Sequence, residues 1–315
     1  MRVPPSRLPR IDVVVAARDE ARTITRCVRS LLSQSHPAHA VLVVDDGSTD
    51  GTGALATAAG ATVLAGEARG PGRARNLGLA AATGDVVAFM DADAYADRGW
   101  LEALAAAFTA DPGLCGPGGV QLAPDDATDF QRRLQAFLEC VGFVSDYVRA
   151  GGERVRPTTH NPSCNSAYRR GALTSAGGFR EDLFPCEDLE LDRRLVQAGH
   201  RLAFVPAARV HHYRVASREG YARMMTRYGA AHRRLVALHG RFRLLHWVPV
   251  AAPVAVLGLL PLLPVPPLAV AALGLGAGAA AGALALRGGV SALPSNLDLL
   301  ALTLRCWLAG YYGRS

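Results

Sequence analysis

The sequence predicts an α/β fold, a mostly parallel sheet flanked by helices, followed by a C-terminal helical hairpin long enough to span a membrane. Three observations carry that expectation. Short apolar runs alternate with amphipathic stretches through the first half of the chain. Two of those runs end abruptly in paired aspartates, at the strand ends where α/β sheets hold ligands. A 43-residue segment, 244–286, contains no Asp, Glu, Lys or Arg, whereas residues 1–243 hold nearly all the charge.

The elements follow in order. "IDVVVAA" (11–17) reads as a buried strand, and "EARTITRCVRSLLSQ" (20–34) as a helix with Ile24, Cys27, Val28, Leu31 and Leu32 on one face. "AVLVVDD" (40–46) is the second strand, "GALATAAG" a short helix and "ATVLAG" the third strand. Helix "GRARNLGLAAAT", strand "DVVAFMD" and helix "DRGWLEALAAAFTADP" continue the rhythm, which predicts parallel strands joined by helical crossovers. It then weakens: 113–123 is rich in Gly and Pro, 128–149 reads as helix and 150–165 as loop. "CEDLELDRRLVQAG" is a helix opened by acids, and "RLAFVP" a strand leading into "ARVHHYR".

At about 1.5 Å per residue, 244–286 would extend roughly 65 Å as helix, enough for two crossings of about 20 residues each. "LPVPP" (263–267) supplies the turn between them. The expected organisation is therefore one domain over 1–243, with halves at about 1–115 and 116–243. Two membrane-spanning helices over 244–286 and a cytoplasmic or interfacial tail over 287–315 follow. The N-terminus has prolines where a secretory signal needs its apolar core, so no cleavable signal is expected.

All 34 basic residues are arginine, so the net charge of +7 reflects a residue bias and argues little for nucleic acid, which is not expected as a partner. Its distribution says more. Ten arginines stand against the single acid Glu219 between Arg201 and Arg243, a pattern suited to the cytoplasmic flank of a membrane with anionic headgroups. Six scattered cysteines with no CxxC pair read as reduced structural thiols.

The chemistry is concentrated at strand ends. In "FMDADAY", Asp91 and Asp93 are two apart, so an extended backbone sends both carboxylates to one side. A hard cation such as Mg²⁺ there would cancel their repulsion. In "VVDDGSTDGT", Asp46 is placed to accept hydrogen bonds from a base or ribose, though Asp46-Gly47 also makes a good turn. Ser48, Thr49 and Asp50 read as caps for the following helix. "GPGRARNLG" lacks the third glycine of a dinucleotide fingerprint, but a helix N-terminus bearing Arg73 and Arg75 still attracts anions. Glu187 and Asp188 open a helix, where the dipole favours acids; one of them is also a candidate general base. His211 and His212 end a strand and are candidates for a third metal ligand.

Taken together and in this order, "VVVAARDEA", "VVDDGSTDGT", "ARNLGLAAATGDVVAFMDADA", "GGFRED", "CEDLEL" and "ARVHH" resemble the family 2 glycosyltransferases with the GT-A fold, a Rossmann-like, mostly parallel sheet. The resemblance covers about residues 10–215. It implies inverting transfer of a sugar from a nucleotide-diphosphate donor (UDP, GDP or dTDP) with Mg²⁺ or Mn²⁺. Ala16, Arg18 and Glu20 then match the segment lining the nucleoside pocket, and Asp46 the aspartate that contacts the base. Arg75 sits where the family approaches the donor. Asp91 and Asp93 match the DxD pair, with Asp93 on the metal and Asp91 shared with the ribose. Asp188 matches the catalytic base, with Glu187 beside it. His212 matches the histidine that joins the metal, with His211 the alternative. Acceptor residues are expected in 116–165, with Asn165 a candidate.

Processive synthases of this family carry Q-x-x-R-W after the histidine region. Here "MMTRY" (224–228) keeps the Arg and an aromatic but lacks the Gln and Trp, and two spans are too few for a channel. The expectation is transfer of one sugar to a membrane lipid or lipid-linked acceptor such as a polyprenyl phosphate, by an enzyme at the cell membrane with its catalytic domain on the cytoplasmic side. A nucleotidyltransferase would want a basic, glycine-rich loop after the first strand, where "ARDEA" stands. A non-catalytic nucleotide-sugar binder would tolerate Asp93→Asn and Asp188→Asn.

Overall fold

A computed structural model describes residues 8–141, 154–250 and 292–313. In chain order the elements are β1 (Ile11–Ala17), α1 (Ile24–Leu32), β2 (Ala40–Asp45), α2 (Thr52–Ala58), β3 (Thr62–Ala65), α3 (Pro71–Ala81), β4 (Val86–Asp91), β5 (Ala94–Ala96) and α4 (Trp100–Ala110). There follow β6 (Leu114–Leu122), α5 (Asp129–Val141), β7 (Arg156–Thr158), β8 (Ser166–Arg169), α6 (Arg170–Ser175), α7 (Glu187–Gln197), β9 (Arg201–His212), α8 (Arg218–His239) and α9 (Leu293–Tyr312). Two compact units result, the first built from residues up to 127 and from 154–214, the second from 128–141, 215–250 and 292–313.

In the first unit β1 is central. Val13, Val14 and Val15 are all fully buried, as befits a strand covered on both faces. It pairs in parallel with β2 and β4, and β3 adds to β2, as the alternating rhythm predicts. The sheet as a whole is mixed, which corrects the expectation of a mostly parallel one. Its order is β3-β2-β1-β4-β8-β6-β9-β5, with β7 on β9. β8 runs antiparallel to β4 and β6, and β5 and β7 run antiparallel to β9. The helical crossovers that dictate parallel pairing stop after β4, so the direction of the later strands was not legible from sequence spacing.

The Gly/Pro-rich stretch 113–123 is where this matters most. It is β6, a buried strand paired in parallel with β9. Its glycines are a packing requirement: a Cβ on Gly116 would lie 2.7 Å from the Tyr168 ring and 2.8 Å from Leu202, and one on Gly118 would lie 2.5 Å from Asn161. The β6–β9 register shifts between Gly119 and Val120, and Pro206 sits in that irregular part of β9, where a ladder tolerates a residue without N–H.

In the second unit α8 and α9 lie side by side and run in the same direction: Arg218 bonds Asp298 at 2.9 Å and, a turn on, Tyr221 Oη meets Thr303 Oγ1 at 2.7 Å. Gly229 and Gly310 let the two backbones approach, each facing the other helix's main chain. Ser217 caps α8, accepting from Gly220 N at 3.0 Å, and Gly240 (φ +70°) ends it. The membrane hairpin expected over 244–286 is also corrected. Among the described residues no helix is long and apolar enough to cross a membrane. Leu244–Trp247 form a 3-10 turn, and 251–286, most of the expected hairpin, lie outside the described residues. Of the two long helices, α8 carries charge along its length, and α9 buries Leu299, Leu302, Cys306 and Trp307.

Candidate active site

Strand pairing assembles the metal corner. β4 ends at Asp91, and after two intervening residues β5 pairs antiparallel with β9, matching Ala94 with His212, while Tyr213 N donates to Asp93 O at 3.0 Å. His212 Nε2 thereby lies 3.3 Å from Asp93 Oδ1. One ligand atom from each of Asp91, Asp93 and His212 falls within 4.8 Å of the others. Burial favours the neutral imidazole, but Asp93 and Cys164 together outweigh it and hold His212 well above the ordinary histidine value. Burial likewise raises Asp93, and His212, with a backbone hydrogen bond and Arg214 adding, reverses the sign and leaves the carboxyl below its usual range. Two carboxylates and an imidazole converging this closely fit a divalent cation of the Mg²⁺ or Mn²⁺ kind.

His211 is not part of this corner. Neighbouring residues of a strand face opposite ways, and His211 stacks on Tyr95 with ring centroids 4.6 Å apart while its Nε2 meets Asp97 Oδ1 at 3.0 Å. Of the two histidines, His212 is the one the fold brings to Asp91 and Asp93.

Beside the corner stands Arg75 of α3, buried, with Nη2 donating to Asp91 Oδ1 at 2.9 Å and Nη1 to Glu187 Oε1 at 2.5 Å. Burial opposes its charge, but Asp91 and Glu187 more than compensate, so its pKa is raised. Glu187 is pushed up to about 7 by burial, with Arg75 pulling down and Asp188 pushing up. Glu187 Oε2 and Arg75 Nε have no hydrogen-bond partner among the described residues. Asp188, half-buried, accepts from Ser163 N at 3.1 Å and from Leu189 N at 2.7 Å. Three acids in the first turn of α7 suit its positive end.

Sequence reasoning missed the support beneath Asp188. One turn along α7, the fully buried Asp192 accepts from Asn161 N at 2.7 Å and Tyr168 Oη at 2.8 Å, and lies 2.8 Å from His160 Nδ1. The i, i+4 spacing of Asp188 and Asp192 was the available signal, since it puts both on one helix face. Together they grip segment 160–163.

On the nucleoside side, Ala16 is in register with Asp91 across β1 and β4. Arg18 is exposed. Glu20 accepts from Thr23 Oγ1 at 2.9 Å; burial foremost, then Asp93, pushes its carboxyl up to about 7, with Thr23 opposing and Asp91 adding. Asp46 is engaged by the loop between β3 and α3, accepting from Gly70 N at 2.7 Å and Arg69 N at 3.2 Å. Ser48 and Thr49 bond to Asp19, and Asp50 to Ala21, which locks two loops together; the N-cap of α2 is Gly51, which corrects the reading of Ser48 and Thr49 as caps, while Asp50 Oδ1 accepts from Thr52 N at 3.0 Å at the helix start. Asn165 is fully buried: Oδ1 accepts from Trp100 Nε1 at 2.7 Å, and Nδ2 donates to Val120 O and Ala208 O at 2.8 and 2.9 Å. Its amide holds the fold.

The sequence profile of "Glycosyl transferase family 2" matches residues 12–176. The pre-mycofactocin glycosyltransferase of Mycobacterium tuberculosis is 33% identical over 231 residues, covering 68% of this chain and 45% of that protein, so the chain spans less than half the length of this relative. Among solved structures, the mannosyltransferase PcManGT from Pyrobaculum calidifontis, in complex with GDP-Man and Mn²⁺, is similar in fold with a TM-score of 0.67 at 22% identity, over 99% of this chain and 89% of that one. GalNAc-T7 with UDP, GalNAc and Mn²⁺ is similar with a TM-score of 0.52 at 18% identity, over 71% and 48%. A profile match across more than half of the chain, joined to the 33% identity over 68% of it, establishes that the chain belongs to glycosyl transferase family 2, with a GT-A-like α/β fold and a mixed sheet.

Proposed function

We propose that this glycosyltransferase moves one sugar from a nucleotide-diphosphate donor (UDP, GDP or dTDP) to an acceptor by a single inverting displacement that depends on Mg²⁺ or Mn²⁺. The observation that carries the reading is the convergence of Asp91, Asp93 and His212 within 4.8 Å. These three side chains would hold the cation, which when bound stabilises the charge developing on a diphosphate leaving group as a Lewis acid. Asp188 is the general base. Two backbone N–H groups orient its carboxylate, and it follows Glu187, whose Arg75 partner touches Asp91. A base so placed takes the proton of the acceptor hydroxyl as the new bond forms, typically worth about 10² to 10⁴ in rate. GDP-Man and UDP in the similar structures support a nucleotide donor.

The acceptor in this proposal is membrane-associated, a lipid or lipid-linked glycan, and the enzyme works on the cytoplasmic face of the cell membrane. Support comes from the second unit, where Arg223, Arg227 and Arg234 are exposed on α8 and Leu244 and Trp247 stand 91% and 52% exposed beyond it. Cationic and aromatic groups together favour an anionic bilayer surface.

The test is a transfer assay with purified protein, UDP-, GDP- and dTDP-sugars, and soluble or vesicle-borne acceptors, with and without Mn²⁺. Turnover should require the cation, fall to background in Asp93→Asn and Asp188→Asn, and be faster with acceptor in vesicles. Undiminished turnover in both variants would overturn the enzymatic assignment of these residues. Equal rates on soluble and vesicle-borne acceptors would overturn the membrane part.

A further inference from the structure

Arg75 meets two acids in different ways. A guanidinium has two Nη groups and Nε, and its usual approach to a lone carboxylate is two parallel hydrogen bonds to both oxygens. Here the fork is split. Nη2 goes to Asp91 Oδ1 at 2.9 Å and Nη1 to Glu187 Oε1 at 2.5 Å, while Nε is unpartnered and buried. Asp91 is therefore held through one oxygen, and among the described residues no hydrogen bond occupies Oδ2. The same aspartate belongs to the cluster that converges with Asp93 and His212. Arg75 and Glu187 are 4% and 3% exposed, so water does not compete for either group.

We propose, resting on the metal-dependent reading above, that Glu187 is a positioning residue. By engaging Nη1 it keeps Arg75 from taking Asp91 in a two-oxygen grip, and so reserves Asp91 Oδ2 for the divalent cation. Remove the Glu187 charge and the buried guanidinium has Asp91 as its remaining direct counter-ion. It then turns its second donor onto Oδ2 and competes with the cation. Glu187 precedes Asp188, so the same contact fixes the start of the helix that carries the base against the metal corner. Its action runs through Arg75 alone, which separates this role from that of a second base.

The experiment measures Mn²⁺ binding to the full chain by titration calorimetry with no donor present, alongside pH–rate profiles. Glu187→Gln should bind Mn²⁺ roughly tenfold more weakly, the size expected for coupled neighbours, and should keep the acid limb of the profile. The double variant Arg75→Gln, Glu187→Gln removes both charges and leaves no buried ion uncompensated. It should recover Mn²⁺ affinity to within about threefold of the parent, which a merely structural role would not do. Melting curves confirm folding of each variant, and Glu187→Asp serves if Glu187→Gln fails to fold: its shorter side chain keeps the charge but loosens the contact and should weaken Mn²⁺ by a smaller factor. Unchanged Mn²⁺ affinity in the folded Glu187 variant, a double variant as weak as the single, or loss of the acid limb in Glu187→Gln would each overturn the proposal. Asp93→Asn is the control for the underlying reading: if it also leaves Mn²⁺ binding intact, the metal assignment itself fails.

Discussion

His212 Nε2 lies 3.3 Å from Asp93 Oδ1, although the two residues are more than a hundred positions apart in sequence. The β5–β9 ladder brings them together, and the same ladder turns His211 away onto Tyr95. Replacing each histidine therefore separates two roles. His212→Ala should weaken Mn²⁺ binding by at least about tenfold and lower turnover with it. His211→Ala should change turnover by less than about threefold and show its effect in the melting temperature, because it removes one stacking contact and the hydrogen bonds to Asp97 Oδ1 and Ala123 O. Calorimetric Mn²⁺ titration and thermal unfolding of the two variants check this.

Asp188→Asn should lower kcat by about 10² to 10⁴ while leaving the donor KM and Mn²⁺ affinity near those of the parent, since its contacts are to Ser163 N and Leu189 N and to none of the metal corner. Steady-state kinetics at saturating donor read the difference. A change confined to KM would remove Asp188 from the base role.

Asn165→Ala should act on stability. The deletion leaves the Trp100 indole N–H and the carbonyls of Val120 and Ala208 without their partner in the interior, at about 1–3 kcal/mol for each unmatched group. Urea unfolding should show a loss of about 3 kcal/mol or more, whereas KM for the acceptor in the folded fraction should not move.

Glu20 makes stability pH-dependent in metal-free buffer. Its carboxyl rises from 4.5 to about 7 on folding, chiefly by burial and then by Asp93. Between those values the folded state binds more protons than the unfolded one, so this group's contribution is fully present below about pH 4.5 and is lost as pH rises through about 7. Glu20→Gln should make that downward trend shallower, leaving the share of Glu187, which burial also raises to about 7. Chemical denaturation in EDTA from pH 5 to 8 would test it, and an unchanged slope would exclude Glu20 as its source.

The first four strands were legible because each announces itself locally. Val13, Val15, Val43 and Phe89 fall in short apolar runs closed by turn residues, and the helices between them force parallel pairing. β6 was hidden because its residues read as turn formers when taken alone. Gly116 and Gly118 are glycines on account of Tyr168, Leu202 and Asn161, which arrive from elsewhere in the chain. The grip of Asp192 on His160 and Asn161 was hidden for the same reason: the partners lie about thirty residues away.

By itself the sequence marked where the first strands end and brought forward Asp91, Asp93, Asp188 and His212 as candidates, the first two from their spacing at a strand end and the choice of the last two from the resemblance to family 2 glycosyltransferases. It could not decide which of those side chains meet. Only the tertiary structure selected His212 over His211, spent Asp46 on the Gly70 loop, buried Asn165 beneath Trp100, and split the Arg75 fork between Asp91 and Glu187. The physical reason is that residue type and local period act within a few residues, whereas a hydrogen bond or ion pair is set by distances of a few ångströms between groups that strand register and helix packing bring together from far along the chain.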